Sequence, residues 1–469
     1  MNFGARLREA VSLPPALLRV IAEERLSGPA LGRLQERKLR GLLFHAFDRS
    51  PFYARHWGGS GISRRHLETV PLCEIPPVSK RMLMEHLDEV FTLPALPKSS
   101  LQDFLGRKDN FSALFENKYC AVHTSGTSGD FGMFLCDMPA WSYVRSLIIR
   151  HVSRPPFLPG NRLRIAFFGA TQGHFPGITL LRHVPSLLYN PLYCAVDEPL
   201  SRLVPALEAF RPQQLSGYAL SIAVLAEAQA AGRLHVQPTS VICSGEPLSA
   251  EKRALIRRAF GVEPVNFYAC GESLALGVDH DGRGFRMFDE AHVFEILKGD
   301  GTAAAPGEEG SVTFTNLYNR IQPLIRYEMK DRLRLSPQQD GKRLLVQGVG
   351  GRDVDLVWFR TSDGTMDYIH PSTLVEFYVP NVRKFQFASY RDKLVYRAVF
   401  GEGQQEIYRI AEEKLRQLLR EKDMQDTVTV SVERVPHLLP DPRTGKFATI
   451  TVMEPCSSPS NELQKNDIY

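Results

Sequence analysis

Two glycines among four hydroxyl residues in His123-Thr124-Ser125-Gly126-Thr127-Ser128-Gly129 make a turn whose N–H and hydroxyl groups can wrap a phosphate. The same composition also makes ordinary surface turns, and the Gly-Lys-Ser/Thr ending of the commonest nucleotide loop is absent. Other chemistry-bearing residues each have a plain reading. Glu272 alone is a helix-start acid, Asp331 an ion-pair partner for Arg332, and Lys446 a turn lysine after Thr444-Gly445. Two apparent motifs fail on context. Gly348-Val349-Gly350-Gly351 lacks the third glycine of a dinucleotide fingerprint and runs into a strand-like stretch. Cys270, His280 and His292 have irregular spacing and no fourth ligand for zinc, and neither Ser125 nor Ser244 sits in a Gly-x-Ser-x-Gly elbow.

The elements that must hold these residues are of three textures. The first hundred residues read as proline-broken helices, with Leu34, Leu39, Leu42, Leu43 and Phe47 at helical spacing before Ser50-Pro51. From about Tyr119, apolar runs at 163–168, 241–243 and 264–268 read as strands, alternating with helical stretches at 201–210, 219–231 and 250–260. Strand-like pieces at 293–296, 311–315 and 343–347 follow, then a hairpin of 384–390 and 393–400, an amphipathic helix around Ile407 to Leu418, and strands at 427–432 and 447–452. The expected fold is mixed α/β. A large domain over 1–354 has a helical start and a β-rich part; a small α+β domain covers 355–455, and a polar tail 456–469.

Composition narrows the function class. The 469 residues carry a formal net charge of only +5, with Lys and Arg interleaved among Asp and Glu, so neither nucleic acid nor an anionic membrane is expected as a partner. Seven scattered cysteines read as free thiols of a reducing compartment. Arg6, Arg8, Arg19, Glu23, Glu24 and Arg25 interrupt the apolar pattern of the opening segment, which suits neither a secretory leader nor a membrane span. A cytoplasmic protein is the expectation.

The phosphate-loop stretch is followed, in order, by Ser244-Gly245-Glu246-Pro247, Tyr268-Ala269-Cys270-Gly271-Glu272, Pro323-Leu324-Ile325-Arg326-Tyr327-Glu328-Met329-Lys330-Asp331, Gly351-Arg352-Asp353-Val354-Asp355 and Pro442-Arg443-Thr444-Gly445-Lys446. This series resembles the signatures of the adenylate-forming enzymes, and within them the phenylacetate-coenzyme A ligase-like branch. Residues 39–53 and Pro76-Pro77-Val78-Ser79-Lys80 resemble that branch's opening segments, so the likeness spans nearly the whole chain.

The resemblance implies ATP, Mg²⁺ and coenzyme A as co-reactants of an acid–thiol ligase. Thr124, Ser125, Gly126, Thr127, Ser128 and Gly129 would hold the β- and γ-phosphates, and Glu272 would be both a catalytic residue and the Mg²⁺ ligand. Tyr268 would stack on adenine beside Ser244, Gly245, Glu246 and Pro247; Asp331 would accept from the ribose hydroxyls, and Arg352 would reach ribose or phosphate. Lys446 would bridge the attacking carboxylate and the α-phosphate, and a hinge at Asp355 would swing the small domain between the two half-reactions. The acyl pocket would be lined by Phe168, Gly169, Thr171, His174, Phe175, Tyr218 and Ala269, which suits a flat aryl acid.

The chain departs from the family at several places. Asp130 stands where the loop usually has lysine, so one cation near the departing phosphates is missing. Ala269 and Gly271 replace the usual Gly and Ser/Thr of the tyrosine motif, Glu328-Met329-Lys330 replaces Arg-Thr-Gly before the aspartate, and 356–370 is longer and more polar than the usual turn. Transfer to a carrier-protein thiol or an amine, and a non-catalytic nucleotide-binding homologue, are the competing expectations; the acid and the oligomeric state stay open.

Overall fold

A computed structural model describes residues 3–453 except 94–95, 108–109, 125–131, 156–159, 197, 340, 342, 349–356, 370, 376, 378, 380–381, 383, 401–404 and 439–448. The helical start is there. In the helix Gly28–Arg49, Leu31, Leu34, Leu39, Leu42, Leu43 and Ala46 fall at helical spacing and are buried, the last four in the large core. Ser50 ends it and caps the next helix, Pro51–Gly58, accepting from Tyr53 N at 3.4 Å, with Pro51 supplying a first-turn residue that needs no N–H partner. Tyr53 is fully buried and its hydroxyl donates to Pro323 O at 2.8 Å, tying the helical start to the chain that leads into the Asp331 strand.

The strands are β1 Cys120–Thr124, β2 Gly132–Cys136, β3 Leu163–Gly169, β4 Tyr189–Ala195, β5 Gln214–Tyr218, β6 Ser240–Ser244, β7 Val265–Tyr268, β8 Gly277–Asp279, β9 Phe285–Met287, β10 His292–Leu297, β11 Glu309–Asn316, β12 Tyr327–Leu335, β13 Leu345–Gly348, β14 Val357–Arg360, β15 Met366–Ile369, β16 Lys384–Tyr390, β17 Lys393–Val399, β18 Thr429–Arg434 and β19 Ile450–Val452. β3 to β7 form the parallel part of one large sheet in the order β4-β3-β5-β6-β7, continued by antiparallel β8, β9, β13, β12, β11 and β10. Helices Leu200–Phe210, Ala219–Ala230 and Ala250–Phe260 cross between the parallel strands. β3 is apolar on both faces because both are covered: Phe167 packs with Ile165 and Ile178, Phe168 with Leu203, Leu207 and Leu215. Gly169, Tyr218, Ser244 and Tyr268 end β3, β5, β6 and β7, the carboxyl edge where sheets of this kind take ligands.

A second sheet, ordered β18-β17-β16-β19, is covered by the helix Gln405–Glu421 through Ile407, Ala411, Leu415 and Leu418. The hairpin β14–β15 serves both cores by its period of two. Val357, Phe359 and Ile369 enter the smaller core, while the directly paired Trp358 and Tyr368 pack on the large one. The expected helices and strands at 201–210, 219–231, 250–260, 384–390 and 393–400 are all present; β4, β5, β8, β9, β15 and the β1–β2 hairpin are additions.

Candidate active site

The phosphate-loop stretch leaves β1 and returns in β2, an antiparallel pair closed by Thr124 opposite Gly132. Of the expected loop, Thr124 is described, while Ser125, Gly126, Thr127, Ser128 and Gly129 lie outside the described residues, as do Arg352, Asp355 and Lys446. A lysine from outside the loop reaches Thr124. Lys80, the first residue of a helix capped by the Ser79 hydroxyl, donates from Nζ to Thr124 Oγ1 at 2.6 Å and stands 3.7 Å from Glu272 Oε1. Its stem slides over Gly132, where a Cβ would lie 2.4 Å from Lys80 Cε. In the sequence, Pro76 to Lys80 is marked only as a family-like segment with no role for the lysine, because 44 residues separate it from Thr124 and no local signal marks the contact.

Glu272 sits in a tight turn after β7, not at a helix start, so the helix-start reading does not apply. Leu274 N donates to Cys270 O at 2.7 Å, and Leu274 takes a left-handed φ of 62°, a strained conformation concentrated at functional sites. The Glu272 carboxylate is oriented by the Tyr327 hydroxyl, which donates to Oε1 at 3.1 Å. Burial, then the Glu272 charge, raises the Tyr327 phenol, so it remains a donor. Gly271 is where the family usually has Ser or Thr, and here a Cβ would lie 2.0 Å from Thr124 Cγ2. Because Thr124 is held by Lys80, it cannot turn away freely; Gly271→Ser is therefore expected to destabilise the fold by about 1–3 kcal/mol in denaturant unfolding. An unchanged midpoint would show that Thr124 and the turn are not in contact.

Asp331 pairs with Tyr268, not Arg332: the Tyr268 hydroxyl donates to Asp331 Oδ2 at 2.6 Å, and Arg332 lies 3.9 Å from Glu309. Its position comes from an irregularity in the ladder. Ser311 pairs with Arg332 and Thr313 with Glu328, so Met329, Lys330 and Asp331 stand opposite Val312 alone, and such bulges re-aim side chains. Burial, then Asp331, raises the Tyr268 phenol, and its ring packs beside Phe285 at 5.4 Å. The Cys270 thiol is raised by burial and then by Glu272, so it stays protonated and is no nucleophile.

Ser244 ends β6, and Gly245, Glu246 and Pro247 form the turn after it. Gly245 needs glycine: its φ is 76°, and a Cβ would sit 3.1 Å from the Tyr218 ring. Glu246 accepts from Leu220 N at 3.0 Å and so caps the helix Ala219–Ala230. The turn and Tyr218 are thus locked together at the sheet edge.

Among the expected pocket residues, Gly169 and Tyr218 meet at that edge, whereas Phe175 packs on the core that holds Phe167 and the Phe168 side chain lies in the core beneath β3. Ala269 is half-buried against the large core. Arg182 donates to the carbonyls of Thr171 and Gly173, fixing the loop that carries them. His174 is 1% exposed; its Nε2 pairs with Asn110 Oδ1 at 3.0 Å and its N–H donates to His123 Nε2 at 3.2 Å. Its ring is used by the scaffold through Asn110. Phe175 packs edge-on against His123 at 4.2 Å.

Both histidines are held neutral. Burial, then His174, pushes His123 down to about 4, and burial, then Arg182, does the same to His174. Each ring would take a proton near its ordinary value of 6.5 when unfolded but only near 4 when folded. Their contribution is present in full above that ordinary value and is lost as pH falls, by up to about 1.4 kcal/mol per pH unit per ring. Unfolding free energies measured from neutral pH down to about pH 4 are expected to fall accordingly, and a flat profile would contradict this.

Among the described residues, no group of three or more His, Cys, Asp or Glu is placed to hold a metal ion, and no helix is long and apolar enough to cross a membrane. Mg²⁺ with a nucleotide asks for less. It commonly takes one or two protein carboxylates, with phosphate and water completing the shell, and the oriented, half-buried Glu272 fits that requirement.

The architecture is the mixed α/β fold of the adenylate-forming acyl-CoA ligases. 2-Hydroxyisobutyryl-CoA ligase, solved with 2-HIB-AMP and CoA in its thioesterification state, superposes with a TM-score of 0.60 at 19% identity, covering 95% of this chain and 94% of that one. An open conformation of the same ligase gives 0.57 at 17% identity, covering 91% and 93%. In sequence the chain is related to phenylacetate-coenzyme A ligases: 23% identity over 351 residues with that of Escherichia coli (strain K12), covering 72% of this chain and 74% of the relative. It is 25% identical over 360 residues to that of Aromatoleum evansii, again covering 72% and 74%. No family model matches the chain.

Proposed function

We propose that this chain activates a carboxylic acid with ATP and passes the acyl group to the thiol of coenzyme A. A carboxylate oxygen attacks the α-phosphorus, the bond to the β-phosphate breaks, and pyrophosphate leaves; the thiol sulfur then attacks the acyl carbonyl and AMP leaves. The observation that carries the reading is the contact of Lys80 with Thr124 and its approach to Glu272, beside the Tyr268–Asp331 pair. A cation and a hydroxyl at the mouth of a glycine-rich loop stabilise charge building on the leaving phosphates. Asp331 accepts from ribose, the Tyr268 face receives adenine, and Gly245 lets the nucleotide approach the turn closely. Glu272 would hold Mg²⁺, which supplies charge neutralisation on the phosphates when bound.

The small unit over 355–455 would move about Asp355, with Lys446 in place for the first step only. The aromatic ring of Tyr218 beside Gly169 at the sheet edge favours an aryl acid. ATP–pyrophosphate exchange without coenzyme A, run across aryl and aliphatic acids, tests the first step; product masses with coenzyme A, a carrier protein or an amine as acceptor test the second. Exchange with no acid at all would leave a nucleotide-binding protein instead of a ligase.

A further inference from the structure

Arg326 belongs to the Asp331 motif, yet nothing in the chemistry above uses it. It is 7% exposed and takes a left-handed φ of 49°. Its Nη1 donates to Cys73 O at 2.8 Å and Ile75 O at 2.7 Å, and its Nε to Glu295 Oε2 at 2.9 Å. Its backbone N–H donates to Thr315 Oγ1 at 3.0 Å. Its carbonyl accepts from Val78 N at 3.0 Å, and Val78 O accepts from Glu328 N at 3.0 Å. Residues 73–78 are thereby laid alongside the start of β12, with Val78 bridged in parallel to Tyr327. Two residues later the chain presents Lys80.

We propose that Arg326 is a positioning residue that sets Lys80 at the phosphate loop. One planar fork reaches two carbonyls and a carboxylate that a lysine could not serve together. The same strand carries Tyr327 against Glu272 and Asp331 against Tyr268, so Arg326 fixes the distance of Lys80 from both. The inference rests on the proposed reading that ATP phosphates lie at Thr124.

The test measures binding of Mg·ATP and of AMP to the full chain by calorimetry, for the parent, Arg326→Lys, Lys80→Met and the double variant. AMP lacks the phosphates Lys80 would meet. Arg326→Lys is expected to weaken ATP about tenfold, as Lys80→Met does, with AMP unchanged and no further loss in the double variant. Unchanged ATP binding in Arg326→Lys, equal weakening of ATP and AMP, or additive losses would each overturn the proposal. A parent that binds no Mg·ATP would instead overturn the reading on which it rests. Should Arg326→Lys fail to fold, Thr315→Val removes the acceptor of the Arg326 N–H without changing shape, and the same pattern is expected at smaller size, its absence counting against the proposal.

Discussion

Replacing Lys80 with methionine is expected to slow adenylate formation about a hundredfold, the scale of removing one preorganised donor from a developing charge. Methionine keeps the length of the stem that crosses Gly132 and loses only the ammonium. Thr124 and Glu272 are then left without their cation, and the loop has no lysine of its own to take over, since Asp130 stands there. Thioester formation from a preformed acyl-adenylate should be nearly unaffected, because pyrophosphate has already departed. Exchange rates within about threefold of the parent, against the hundredfold that loss of such a donor brings, would remove Lys80 from the mechanism.

Lys446→Ala is the other large effect expected. A mobile ammonium between the attacking carboxylate and the α-phosphate acts only as charge accumulates in the transition state, so its loss should cost adenylation about a hundredfold to a thousandfold. The two lysines separate in binding. Lys80→Met weakens ATP relative to AMP, whereas Lys446→Ala should leave ATP affinity as it is and lower only the rate. If both half-reactions fell together in Lys446→Ala, the residue would not be the adenylation lysine.

Much of the fold was legible because β3, β6 and β7 are short apolar runs bounded by turns, and the crossover helices have clear periodicity. β4 was not, since Pro191 and the exposed Tyr193 break its pattern on a sheet edge. The small residues around Gly132 and Gly271 looked like departures or spacing, and only the fold shows that they let Lys80 and Thr124 approach. The plain readings of Glu272 and Asp331 failed for tertiary reasons: a turn follows β7 where a helix was expected, and a bulge in β12 aims Asp331 at Tyr268. His174 and Glu246 went the other way. Their chemistry-bearing side chains are used by the scaffold, one binding Asn110 and one capping a helix.

The most direct test follows oxygen from acid to nucleotide. The protein is incubated with ATP, Mg²⁺, coenzyme A and carboxylic acids, aryl and aliphatic, whose carboxylate oxygens carry a heavy isotope. Attack on the α-phosphorus predicts AMP bearing one labelled oxygen, with unlabelled pyrophosphate. Label in orthophosphate with ADP formed, or ATP left unconsumed with every acid, would contradict adenylate formation.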